Sequence, residues 1–250
     1  MYHELAPPPA MRGVVACSWH RQPDDDGPFV VLPDGCVDLV WRSDGRVFVA
    51  GPDRGPHVHV HPPASSFDGV RLLPGRAASV LGVAAHELVD SLVDLRDLWA
   101  DRADRLVEDL SAATSSQQRQ TLLTAAVGER LAAGAELDRL VAAAVAALDD
   151  GEPVAAIADR FGVSERQLRR RVVHQVGYGP KLLAGVLRFR RFLELRHLVA
   201  AGAHTLAWTA AAAGYADQAH LVRDCHRLAD ATPSELVRFV QDGNPAPGAR

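Results

Sequence analysis

"GVSERQLRRRV", residues 162–172, decides how the C-terminal part of this 250-residue chain is read. Ser164 followed by Gln167 is a Ser-x-x-Gln capping box, in which the hydroxyl and the carboxamide each take up a free backbone N–H of a helix start. Just upstream, "PVAAIADRFG" (153–162) opens on a proline and closes on a glycine, the order expected of a short helix. The spacing predicts a helix, a glycine turn and a second, capped helix, with Arg166, Arg169, Arg170 and Arg171 on the second.

The pattern recurs. Ile157 to Ser164, then Leu168 and Pro180, is answered by Thr209 to Asp217, then Leu221 and Pro233. The glycines Gly162 and Gly214 lie 52 apart, whereas the leucines and prolines lie 53 apart. One extra residue therefore sits in the second turn, where Asp217 is the expected cap. Between the copies, "KLLAGVLRFRRFLELRHLVAAG" (181–202) reads as a long helix, and Thr232, Pro233 and Glu235 form a further capping box.

At about 100° per residue, placing Leu168 inward turns Val172 inward beside it and Arg166 and Arg170 outward, with Gln167 and Arg169 on the flanks. Arg171 falls toward the buried side, where a phosphate or a carboxylate is its expected partner. In the second copy Leu221 and Cys225 face inward, Arg223 outward, and His220 on the flank. Exposed arginines on a helix are usually no more than a solvated face. Here Arg170 and Arg223 fall at the same place on two capped helices, and a guanidinium can donate both prongs to guanine.

The first part of the chain has a different texture. "VVACSWH" (14–20), "FVVL" (29–32), "VDLVW" (37–41), "RVFVAG" (46–51), "HVHVH" (57–61) and "FDGVRLL" (67–73) read as short strands, with turn signals at "LPDGC" and "SDG". From Pro74 the pattern turns helical, through "HELVDSLV" (86–93) and "LWADRADRLVEDLSAA" (98–113). The polar run 111–120 marks a boundary. Expected bounds are 1–112 for a β-rich unit, 113–136 for a helical linker, 137–240 for an all-helical unit and 241–250 for a disordered tail. The fold class is α+β.

Charge divides along the same line. Residues 151–240 carry 13 basic against 8 acidic side chains, a net +5; residues 1–150 carry 13 against 22, a net −9. A basic unit joined to an acidic one suits a polyanion binder carrying a second module. No leader or membrane span is read, and Cys17, Cys36 and Cys225 are scattered, which suits free thiols in the cytoplasm.

Residues 154–183 and 206–239, with the bridging helix 186–199, resemble the DNA-binding domain of the AraC family of transcription regulators. The resemblance implies two helix-turn-helix subdomains entering successive major grooves of double-stranded DNA. It carries the family's base-contact positions onto Arg166, Gln167, Arg169 and Arg170, and onto Gln218, His220 and Arg223. Val172 and Cys225 stand where the family often has Phe, and Asp230 where it has a turn glycine. Residues 32–41 and 72–99 resemble an uncharacterised domain found ahead of AraC-like modules. That likeness implies a β-rich, cupin-like sensor or dimerisation unit, with an unidentified small-molecule effector. RNA polymerase and a second copy of the chain are further candidate partners.

Three other features carry candidate chemistry. His57, His59 and His61 alternate and so share one strand face. With Cys36 or Asp38 they would make a metal site, but no partner spacing supports one, and a polar strand face is the reading taken. Cys36 is read as a small buried hydrophobe rather than a redox sensor. Trp19, Trp41 and Trp99 are read as core more readily than as a pocket. No nucleophile elbow, phosphate loop or zincin helix appears, so neither cofactor nor catalysis is expected. The alternative is a cupin-like metal enzyme or metal sensor fused to a DNA-targeting module.

Overall fold

The computed structural model describes residues 1–23, 28–134 and 136–241. The tail expected over 241–250 lies outside these beyond Gln241.

The N-terminal unit is built on a six-stranded antiparallel sheet. Its strands are β1 (Tyr2–Leu5), β2 (Val15–Arg21), β4 (Val37–Arg42), β5 (Val47–Ala50), β7 (Phe67–Leu72) and β8 (Leu92–Asp94), in the order β1-β2-β7-β4-β5-β8. A separate ribbon pairs β3 (Phe29–Val31) with β6 (His57–His59). All six strands expected from the sequence are present. The structure adds β1 and β8.

The strand alternation splits the sheet into two working faces. Val37, Leu39, Trp41, Val47, Val49, Val70 and Leu72 pack on helices, with Leu123 and Val127 fully buried against them. Asp38, Val40, Phe48, Phe67 and Arg71 point the other way, toward the ribbon. A register shift between Val15 and Cys17 lets β2 serve both faces. Val15 joins the helix side, while Cys17 and Trp19 join the ribbon side.

The helices on the first face are α1 (Ala77–Leu81), α2 (Leu95–Trp99), α3 (Asp101–Ala112) and α4 (Ser116–Ala132). Helix α4, inside the stretch read as a linker, is fixed to the sheet by Asp68, whose side chain is fully buried. Arg119 Nε donates to Asp68 Oδ2 at 2.6 Å, His20 Nδ1 lies 2.9 Å from Oδ1, and the Ser116 hydroxyl also donates to Oδ1.

"HELVDSLV" is not helical as expected. A 3₁₀ turn covers Ala85–Glu87, Asp90 takes φ +54, and Leu92–Asp94 pairs with Phe48–Ala50. The apolar run was long enough for a helix turn, but the open edge of β5 offered a row of unpaired backbone groups that a strand satisfies.

The C-terminal unit holds α5 (Arg139–Asp149), α6 (Val154–Arg160), α7 (Glu165–Val176), α8 (Pro180–Ala200), α9 (Leu206–Ala212), α10 (Gln218–Ala229) and α11 (Pro233–Gln241). Its core runs from Val141 through Leu168, Phe189 and Phe192 to Leu221 and Leu228. The two units share packing. Leu32, just past β3, is buried in this second core. Gly177, at φ +102 after α7, sits so close to the first unit that a Cβ there would lie 2.8 Å from both Pro52 Cγ and Val89 Cγ2. Glycine is required at Gly177 both for its backbone conformation and for this approach.

No helix among the described residues is long and apolar enough to cross a membrane.

Candidate nucleic-acid interface

The sequence repeat is a structural repeat. Helices α6 and α9 are each 7 residues long, and α7 and α10 are each 12. Both short helices end in the same motif. Gly162 N–H donates to Asp159 O and Val163 N–H to Ala158 O; Gly214 N–H donates to Ala211 O and Tyr215 N–H to Ala210 O. That pairing needs a left-handed residue, supplied by Gly162 at φ +64 and Gly214 at φ +90.

Each second helix starts on a side-chain cap. Ser164 Oγ accepts from Gln167 N–H and Gln167 Oε1 from Ser164 N–H, closing the expected box. Asp217 Oδ1 accepts from His220 N–H at 2.6 Å. Each also ends on a left-handed residue, Gly177 for α7 and Asp230 at φ +50 for α10. Asp230 thus does the work of the glycine it replaces, a conformation Asp tolerates better than most residues.

The buried residues of α7 are Leu168, Val172 and Val176; those of α10 are Leu221, Asp224, Cys225 and Leu228. The outward faces carry the expected residues. Arg166, Arg169, Arg170, Gln218 and Arg223 are all exposed. Among the described residues, no ion pair or hydrogen bond ties down the side chains of these four arginines. Other arginines of the unit are engaged: Arg190 and Arg191 on Asp149, and Arg227 on Asp224 at 2.8 Å.

Two expected contacts are partly spent inside the chain. Gln167 commits its carbonyl oxygen to the cap, which leaves the amide nitrogen outward. His220 is half-buried, edge-on to Tyr215 and 3.9 Å from Asp224.

Arg171 meets a carboxylate. Its Nε and Nη2 donate to the two oxygens of Asp138 at 2.9 and 2.8 Å, and Asp138 is itself the cap of α5. Arg171→Ala is therefore expected to lower stability by about 0.5–1 kcal/mol, the upper range for a half-exposed pair of good geometry. It should leave the salt dependence of DNA binding unchanged. A salt titration whose slope flattens by about 0.9, the value of one phosphate contact, would instead place Arg171 on the DNA backbone.

The other singled-out residues fall in the N-terminal unit. His59 and His61 are buried rather than forming a polar strand face, with rings 5.0 and 5.5 Å from Phe29; His57 is half-exposed. Burial pushes His59 down to about 4, so its ring is neutral. Among the described residues no three His, Cys, Asp or Glu side chains are grouped to hold a metal. Cys36 is buried and its thiol is raised well above the usual range by desolvation. Trp41 and Trp99 sit in the helix-side core, but Trp19 lines a cavity.

That cavity was not legible in the sequence. It lies between the sheet and the ribbon, has a volume of about 80 Å³, and has Arg71 in its lining. Arg71 gathers Glu4, Asp34 and Asp38, which arrive from two separate stretches of chain.

Two capped helix-turn-helix units bearing unengaged arginines define a double helix-turn-helix DNA-binding protein. The helix-turn-helix domain family matches residues 157–238, and the family described as domain of unknown function DUF6597 matches residues 3–94. Residues 157–238 are thus a helix-turn-helix domain, and the protein is a DNA-binding transcription regulator. No curated protein matches the sequence. Among solved structures, apo ToxT K231A from Vibrio cholerae strain SCE256 is similar at 11% identity and a TM-score of 0.48, covering 89% of this chain and 96% of that one. A 1.65 Å structure of Vibrio cholerae ToxT is similar at 9% identity and a TM-score of 0.47, covering 89% and 97%.

Proposed function

We propose that the chain reads a two-part DNA site, α7 in one major groove and α10 in the next along one face of the duplex. Arg166, Gln167, Arg169 and Arg170 contact the first half, and Gln218, His220 and Arg223 the second. The observation that carries this reading is the equivalence of Arg170 and Arg223, exposed and unengaged at the same position of two structural repeats. The DNA-binding unit is taken as 137–240 and the sensor unit as 1–112, and 113–136, expected as a linker, packs on the sensor unit's sheet through α4.

The N-terminal unit senses a small molecule in its cavity and carries no catalytic step in this reading. Its route to DNA is short. Gly51 and Asp53 line the cavity, while Pro52 between them abuts Gly177, the end of α7. A change at the cavity wall is thereby passed to the first recognition helix. RNA polymerase and a second copy of the chain are the macromolecular partners that a cytoplasmic regulator adds.

Selection of bound sequences from a random DNA pool tests the reading. The expected result is two informative blocks whose centres lie about ten base pairs apart, since one face of B-DNA recurs at that period. A single short block would leave α10 without a role in reading bases.

A further inference from the structure

The cavity's lining points to one charge class of ligand, an inference that rests on reading the N-terminal unit as a sensor. Five aromatic side chains stand in its walls. Tyr2 and Trp19 stand with centroids 6.2 Å apart on one side, Phe29 and Phe67 meet edge-to-face at 5.9 Å, and Phe48 closes the set.

Arg71 in that lining is not available to an anion. Arg71 Nε lies 3.2 Å from Asp38 and 3.4 Å from Asp34, and its Nη1 lies 3.4 Å from Glu4. Three carboxylates surround one guanidinium. Trp19 adds an indole N–H to Asp38 at 2.6 Å. A ligand carboxylate would have to displace one of these and join the remaining two. Arg21 also lines the cavity, with its guanidinium laid 3.7 Å above the Phe29 ring.

Asp53 also lines the cavity, is 16% exposed, and lies 3.9 Å from His57 Nδ1. Burial, together with Asp90, Asp34 and Asp38, pushes Asp53 up to about 7, which marks a carboxylate short of positive charge. Asp38 and Asp53 thus line the cavity beside Arg21 and Arg71, and Asp38 is already engaged by Arg71. Aromatic faces present negative potential to their centre and attract a desolvated cation.

We propose that this cavity binds an organic cation, an ammonium group on an apolar or aromatic body, whose body lies among Tyr2, Trp19, Phe29 and Phe48 and whose charge is met by Asp53.

Three probes of nearly one shape separate charge from shape: benzyltrimethylammonium, its neutral carbon isostere neopentylbenzene, and the anion phenylacetate. Each is titrated calorimetrically into the full chain at pH 8. The cation is expected to bind at least about tenfold more tightly than the neutral isostere, the scale of a desolvated cation–π site. Asp53→Asn should remove most of that preference while leaving the melting temperature near that of the parent. The comparison of the three probes on the unaltered chain stands even where the variant folds poorly. Equal or tighter binding of phenylacetate or neopentylbenzene overturns the cation assignment and leaves the sensor reading in place. Binding of none of the three, with sequence-specific DNA binding intact on the same preparation, overturns both the assignment and the cavity's role as a sensor.

Discussion

Arg119→Ala is expected to destabilise the N-terminal unit by about 3–5 kcal/mol, the cost of leaving a buried charge without its partner. The Asp68 side chain is fully buried on the helix side of the sheet, and Arg119 is its closest cation at 2.6 Å. The same guanidinium donates to Ala113 O at 2.9 Å and lies 4.3 Å from the centre of the Trp41 ring. Truncation removes all three contacts and leaves Asp68 with His20 and Ser116 alone. Replacing both partners by apolar residues, as in Asp68→Leu with Arg119→Met, should recover most of the loss, because no charge then stays buried. Denaturant unfolding of the two single variants and the double variant checks this. A loss under about 1 kcal/mol for Arg119→Ala is the size of a solvated surface pair and would show that water reaches Asp68.

The combined variant Arg170→Ala with Arg223→Ala is expected to weaken binding to the selected site by about 2–6 kcal/mol. Each arginine that holds a guanine by two prongs contributes about 1–3 kcal/mol of discrimination, and losses at separated positions add. Among the described residues neither side chain has a hydrogen-bond or ion-pair partner, so truncation should leave the melting temperature nearly unchanged. That separates a contact made to DNA from one made inside the protein. Competition against non-specific duplex at fixed salt checks it: affinity for the selected site should fall while non-specific affinity falls far less.

The helix-turn-helix repeat was legible because its signals are local. A cap, a glycine and an inward leucine declare themselves within a dozen residues, and Ser164, Gly162 and Leu168 behave as their neighbours imply. Arg171 was half-legible. Its helical position turned it toward the buried side, but naming Asp138 required knowing that α5 packs there. Strand β8 was hidden because three residues carry too little alternation, and only the free edge of β5 makes them a strand. The cavity was wholly hidden. Glu4, Asp34, Asp38 and Arg71 look like unrelated surface charges until the sheet brings them within 3.4 Å of one guanidinium. His59 and His61 misled for the same reason, since their alternation was visible but the aromatic residues they pack on were not.

The central claim is that both recognition helices read bases. It is tested most directly by binding the parent, Arg170→Ala and Arg223→Ala to a panel of single-base variants of the selected site at fixed salt. Each variant should lose discrimination at one base pair, and the two insensitive positions should lie about ten base pairs apart. Discrimination at every position unchanged in Arg223→Ala would contradict the account and leave α10 as a structural copy of a DNA-reading helix.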